Sequence, residues 1–161
     1  MSVFKSQFSR ALRVITSDDA NVPFPAPVKS GTNTSAVANE LVDTAGDFVN
    51  AGVKTGDIVY NITDGTAATV VSVTSATVIV LNADIFLDTA KEYTIYQASP
   101  QTTIGNTGCN VYVGGAGNVK VTTIGGDEIT FNAVPVGTVL PIQVIKIHKT
   151  GTAATLINAL W

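Results

Sequence analysis

The sequence predicts an all-β fold, on three observations. Val and Thr each occur 22 times in 161 residues, and both are β-branched, stiff at χ1 and better suited to a pleated sheet than to a helix. Strong helix formers are scarce, with a single Met and few Glu and Lys. Short apolar runs recur between Gly, Pro, Asn and Asp punctuation, and none keeps a helical period over the length of an ordinary helix. Hydrophobic residues at 45% suffice for a core, and the length fits one domain or two small modules.

Taken in order, residues 1–9 read as an arm, polar apart from Phe4 and Phe8, which are its candidate anchors. RALRVI (10–15) reads as a first strand. In 16–31 the prolines at 23, 25 and 27 remove backbone donors and fix φ, so the chain there is extended or looping, and TNTS (32–35) is a polar linker. A second module spans 36–97. It opens on a short extended piece, ELV, and Thr44 with Asp47 predicts a capped helical turn carrying Phe48 and Val49. Strands are expected at 57–62, 67–73, 77–81 and 91–97, with Asp64-Gly65 as a turn. So many short strands in about sixty residues suggest a small closed or half-closed barrel. After a loop at 99–108, CNVYV (109–113) and NVKVTTI (118–124) read as a hairpin turning through GGAGN. DEITFNAV (127–134) alternates with Ile129, Phe131 and Ala133 on one face. TVLPIQVIKIHK (138–149) is a long strand in which Pro141 marks an edge or a bulge, and AATLINALW (153–161) is the last strand.

Charge narrows the function. Charged residues are only 13% and the net charge is −3, so the surface is Thr, Ser, Asn, Gly and some Val. Such a surface suits a protein largely covered by neighbours in an oligomer or lattice. Lys and Arg are scattered singly, which disfavours nucleic acid as the main partner. The N-terminal stretch lacks the apolar core of a signal peptide, and no run approaches the roughly 20 apolar residues of a membrane span.

Catalytic alternatives are weak. Gly114, Gly115 and Gly117 precede a strand rather than a helix, so they read as a turn and not a phosphate cradle. Cys109 and His148 are the only candidates for a nucleophile and base. Cys109 shares parity with Val111 and Val113, which points it into a core, while His148 lies between Lys146 and Lys149 and reads as a surface residue. Adjacent acids such as Asp18-Asp19 and Asp127-Glu128 point to opposite faces of a strand. Asp18, Asp19 or Asp127 would need loop carbonyls to hold Ca²⁺ or Mg²⁺. No catalytic residue, cofactor or metal site is expected. Asn33-Thr34-Ser35 and Asn61-Ile62-Thr63 match the glycosylation pattern without a secretory route to use it. The candidate anchors of an interface are Phe4, Phe8, Pro23, Phe24, Pro25 and Trp161. Phe24 is held extended between two prolines, as a plug over its own core or an anchor in a neighbour's groove.

ITSDDANVPFP (15–25) and NVYVGGAGNVKVTTIGGDEITFNAVPVGTVLPIQVIKIHKTGTAATLINALW (110–161) resemble the head spike base and decoration proteins of tailed phages and gene transfer agents. That family shares an early S-D-x-x-x-x-P segment, then L-Y-V-G-x-x-G-x-V-x-V-T-T, a Gly-rich turn, T-F-x-x-V-x-x-G-x-x-L-P-I and a terminal A-L-W. The chain departs from the plan in its middle. There LVDTAGDFVNAGVKTGDIVYNITDGTAATV is similar to small β modules of phage virion proteins, with the pattern L-x-D-x-x-x-x-F-x-x-x-G-V-x-x-G-D-x-V-x-N-x-T-D-G-x-x-A-T-V. The resemblance implies a small β-sandwich or barrel-like core from the N-terminal strand plus the C-terminal region (10–35 and 98–161). A small β-barrel-like module (36–97) would be inserted into it. It implies a virion structural protein on the phage head exterior, made in the bacterial host cytoplasm, that cements the capsid or carries a fibre. The implied partners are the major capsid protein, further copies in a homo-trimer or homo-pentamer, and a spike or fibre protein, with neither nucleic acid nor membrane. A tail or neck component, or a carbohydrate-binding host-facing module, is the alternative. The latter would call for exposed aromatics in a row, for which Tyr60, Tyr93 and Tyr96 are the clustered candidates.

Overall fold

The computed structural model describes residues 8–98 and 108–161, and Phe4 lies outside them. The elements are β1 (Ala11–Arg13), β2 (Pro27–Thr32), β3 (Glu40–Val42), α1 (Phe48–Ala51), β4 (Ile58–Asn61), β5 (Thr66–Val73), β6 (Val78–Leu81) and β7 (Glu92–Tyr96). They continue with β8 (Cys109–Gly115), β9 (Gly117–Thr123), β10 (Glu128–Val134), β11 (Thr138–Ile147) and β12 (Thr155–Leu160). The fold is all-β. The strands form two antiparallel six-stranded sheets packed together, ordered β1-β12-β8-β11-β9-β10 and β2-β7-β4-β5-β6-β3.

Each sheet buries a core of its own. Alternate residues of β8, β9 and β12 (Val111, Val113, Val119, Val121, Ile157, Ala159) fill the first. Leu41, Phe48, Val59, Ile79, Phe86 and Tyr93 are among those that fill the second. The sheets meet at a smaller seam where Ala20, Ile58, Tyr60 and Ala67 pack with Leu12, Ile15 and Tyr96. Strand β4 is therefore buried on both faces, with Val59 toward the second core and Ile58 and Tyr60 toward the seam. Polar pins cross the same seam. Ser17 Oγ donates to the Ala67 carbonyl (3.0 Å) while accepting from the Asp19 and Ala20 N–H groups. Asn82 Nδ2 donates to the Asp19 carbonyl (2.7 Å).

Four local expectations need correction. Residues 27–32, grouped above with the first strand, pair with Glu92–Tyr96 in the second sheet, since Pro27 sits at the start of an edge strand, where no donor is needed. The expected β8–β9 hairpin does not form. β11 lies between the two strands, its first half pairing with β8 and its second with β9. The glycines answer to close approach instead. Gly117 has φ 153, and a Cβ on it would lie 2.6 Å from the Ala154 backbone nitrogen. Thr44 does not cap α1. The N-cap is Asp47, in a left-handed conformation with no side-chain capping bond, and its Oδ1 accepts from Asn50 Nδ2 (2.8 Å). Phe48 is buried and Val49 is exposed. On β10 a bulge after Phe131 breaks the alternation. Ala133 takes φ 49, and Val134 rather than Ala133 reaches the core. Pro141 does produce a bulge, in a central strand: the register with β8 shifts between Leu140 and Val144.

Candidate functional site

The residues of the internal motif are used up in folding. Asp43 is buried; its Oδ1 accepts from the Ala45 N–H (2.9 Å) and its Oδ2 from the Tyr93 hydroxyl (2.7 Å). Burial, then this bond to a carboxylate, raises the Tyr93 phenol above its usual range. Asp57 accepts from the N–H groups of Lys54 (2.9 Å) and Ala98 (3.0 Å), tying the turn before β4 to the chain that leaves β7. Asn61 is fully buried; it donates to the Ile85 carbonyl (2.7 Å) and to Asp64 (2.9 Å). Gly52, in the left-handed region, closes α1 by donating to Val49. Both glycosylation-pattern asparagines are committed in the same way: Asn33 Nδ2 donates to the carbonyls of Ser35 (3.1 Å) and Asp88 (2.9 Å). The motif's buried polar residues, Asp43, Asp57 and Asn61, are spent on the fold, whereas Thr63 and Asp64 are exposed.

The catalytic candidates are also structural. Cys109 is buried, its Sγ donates to the Val144 carbonyl (3.5 Å), and burial pushes its thiol up to about 12, which suppresses the reactive thiolate. His148, expected at the surface, is only 8% exposed. Its Nε2 bonds Thr122 Oγ1 (2.7 Å), and its Nδ1 lies 3.6 Å from Asp18 Oδ1. Glu128 Oε1 is 3.7 Å from the same Nε2. The group pins the 17–19 loop to the ends of β9 and β11. A bond from the Thr150 hydroxyl (2.7 Å) holds the Asp18 carboxyl below its usual range, against desolvation and with help from the Thr150 N–H and His148. Among the described residues no group of three or more His, Cys, Asp or Glu converges to hold a metal ion. Among the described residues no helix is long and apolar enough to cross a membrane.

Of the expected anchors, Phe24, Pro25 and Trp161 meet in one cluster, and Phe4 lies outside the described residues. The Phe24 and Trp161 rings meet edge to face at 6.0 Å, and the Arg10 guanidinium lies 5.1 Å over Phe24 while donating to the Pro25 carbonyl (3.1 Å). Trp161 exchanges backbone bonds with Arg10 (2.9 and 3.1 Å) and accepts from Ser9. Pro23 is buried, Phe24, Pro25 and Trp161 are half-buried, and Phe8 is 41% exposed. The structure thus joins Phe24 to Trp161 as a clasp within the chain, and both rings contribute chiefly to closing it. Trp161 also lines a cleft of 260 Å³ with Val22, Ile58, Cys109 and Val144. The tyrosines form no exposed row. Tyr60 and Tyr93 are buried, and Tyr60 meets half-buried Tyr96 edge to face at 5.4 Å. The Tyr60 hydroxyl sits beside the Ile15 backbone without closing a well-formed bond, and burial raises it.

A surface that residue-by-residue reading missed lies on the outer face of the first sheet. Val111, Val113, Ile157 and Ala159 point into the core, so the intervening residues point out. Register aligns them in rows: Arg13 beside Asn158, Asn158 beside Tyr112, and Tyr112 beside Val139 across four strands. The next row is Ala11, Leu160 and Asn110. Leu156, beside Gly114, extends the face; it is 50% exposed and Val139 is 40% exposed. Arg13 is the one charge in these rows. Asn110 Nδ2 donates to the Leu140 and Ile142 carbonyls at the Pro141 bulge (3.3 and 3.5 Å), so it too is spent internally. The signal available in the sequence was parity alone, because strand order is needed to see that these residues adjoin. No protein-family model, curated protein or solved structure matches this chain.

Proposed function

We propose that the chain is a virion structural protein of a tailed phage, a head decoration or spike base protein that binds the capsid exterior and acts by packing rather than catalysis. The observation that carries the reading is the outer face of the first sheet. It is a four-strand surface whose aligned rows carry one charge, Arg13, with Val139 and Leu156 exposed and Tyr112 and Leu160 half-buried. Burial of such a surface stabilises by about 25 cal/mol per Å² of apolar area, a modest gain per copy that multiplies over a lattice. Three of its four strands, β8, β11 and β12, come from the segment that resembles the head spike base proteins. A face with so little charge would select a partner chiefly by shape.

The test is to add labelled protein to particles lacking it and to map the label. Saturable binding to the head, at vertices for a spike base or across faces for a cement protein, is the expected result. Label on the tail, or none above background, overturns the reading.

A further inference from the structure

We propose that two copies of the chain join through β10, edge to edge and antiparallel about a two-fold axis at Thr130, so that their first sheets continue as one. The contact does not rest on the virion reading, and it makes a dimer where the resemblance implies a trimer or pentamer.

The four sheet edges are not alike. The first sheet ends in β1 and β10, the second in β2 and β3. β1 and β3 are three residues each, and β3 is further closed by Thr34 donating to Val42 and by a bridge from Ser35. β2 carries Pro27, Lys29 and Gly31, the residues that blunt an edge. Among the described residues β10 is the one long edge without such protection, seven residues with neither Pro nor Lys that pair with β9 alone. Its outward groups can be identified. Thr130 sits opposite Lys120. Lys120 gives its carbonyl to the His148 N–H (2.9 Å) and its N–H to Thr152 Oγ1 (2.9 Å). The N–H and C=O of Thr130 therefore face away from β9, and by parity so do those of Glu128. The bulge ends the usable edge where Ala133 donates to Asn118 Oδ1 (2.9 Å).

The side chains of this edge suit a second copy of itself. Ile129 lies opposite Val121 and Phe131 opposite Val119. Both valines are fully buried in the first core, Phe131 packs against that core half-buried, and Ile129 is 45% exposed. The core thus runs out at this border with apolar surface still showing. The register follows from the outward groups, since only outward-facing residues can bond across the new contact. With Thr130 opposite Thr130 of the second copy, the two exchange both backbone bonds. Ile129 then falls opposite Phe131 of the second copy on each side of the axis. Pairs of an aromatic with a β-branched residue are favourable across strands, as is Thr against Thr. Glu128 meets the neutral Asn132, and the two copies of Glu128 stand four residues, about 14 Å, apart along the strands. The neighbouring registers are worse: one sets Phe131 against Asp127, and the other runs Ile129 into the bulge at Ala133. The two-fold axis is perpendicular to the sheet, so the outer faces of both copies look to the same side, and a dimer offers two of them to one surface.

The test is the mass of the full chain by analytical sedimentation at micromolar concentration. The unaltered chain is expected as a dimer. Thr130→Pro removes a backbone donor that β9 does not use, and Ile129→Lys sets a charge against Phe131 of the second copy. Each should sediment as a monomer with the circular dichroism of the parent, and the lysine variant guards against misfolding of the proline one. A short bis-maleimide reads the register. It should join Thr130→Cys to its copy but leave Glu128→Cys and the parent single, since Cys109 is buried. A monomeric parent overturns the inference, as does a dimer that persists in both Thr130→Pro and Ile129→Lys. A trimer or pentamer overturns it too, because a two-fold contact closes no odd ring. So does cross-linking of Glu128→Cys in preference to Thr130→Cys. Dimers that form as expected but do not bind particles would overturn the virion reading and leave this inference standing.

Discussion

Replacing Asn61 with Ala should be among the most damaging single changes in the second sheet. The side chain is fully buried and closes three bonds: Nδ2 to the Ile85 carbonyl (2.7 Å), Nδ2 to Asp64 Oδ2 (2.9 Å), and the Asp64 N–H to Oδ1 (3.0 Å). At about 1 kcal/mol for each neutral bond and about 1.5 for the one to a carboxylate, the loss is about 3.5 kcal/mol. For a chain of this size that lowers Tm by about 10 °C. Thermal unfolding followed by circular dichroism reads it directly. Asn61→Asp supplies a sharper check at equal volume. The new carboxyl would face the Ile85 carbonyl and the Asp64 carboxylate, so its folded pKa is raised above its unfolded value. Stability is then lost as pH rises above about 3.9 and is best retained below it. A Tm drop under about 3 °C for Asn61→Ala, or a pH-independent Asn61→Asp, would refute the assignment of Asn61 as the knot of the module.

Asp18 has a folded pKa held below the unfolded one, chiefly by the Thr150 hydroxyl. The stability it adds is present above the unfolded carboxylate range and lost as pH falls through the folded value; Asp18→Asn should therefore flatten the acid limb of the stability curve and change little at pH 7 beyond a small loss, because the carboxyl is exposed. Cys109, the single cysteine, should resist a thiol reagent in the folded protein at pH 8 and react fully in denaturant, whereas prompt native labelling would contradict its burial. Replacing residues 27–97 by a short Gly-Ser link should leave a folded first sheet, since Ala26 and Gln97 are already joined by a backbone bond (3.1 Å). Removing 36–97 instead leaves β2 without β7 and should give the less stable remainder by urea unfolding.

Much of the fold was legible because local chemistry and tertiary packing agree. Val111 and Val113, or Val119 and Val121, alternate in sequence as they do in the core. Asp64-Gly65 turns the chain as the dipeptide suggests. The misreadings lie where a distant partner decides. GGAG looks like a hairpin, but Gly114 and Gly117 are small because Leu156 and Ala154 cross close by. His148 looks exposed between two lysines, yet Thr122 and Asp18 hold it in. Pro27 hid a strand that only Glu92–Tyr96 completes. Of the candidate anchors, sequence singled out Phe24 and Trp161 but not that they face each other. The outer face was invisible for a related reason: Arg13, Asn158, Tyr112 and Val139 lie up to 145 residues apart in number and adjoin only through sheet order.

The central claim is that this outer face is the surface through which the chain binds its shell. A paired comparison tests it most directly: sedimentation of Val139→Asp and Val49→Asp with particles lacking the protein. Val139 is 40% exposed within the face, and Val49 is 59% exposed on α1 of the other sheet. Burying an unpaired carboxylate costs well over 1.4 kcal/mol, so Val139→Asp should bind at least about tenfold more weakly, while Val49→Asp binds as the parent does. Equal binding by both variants would contradict the account.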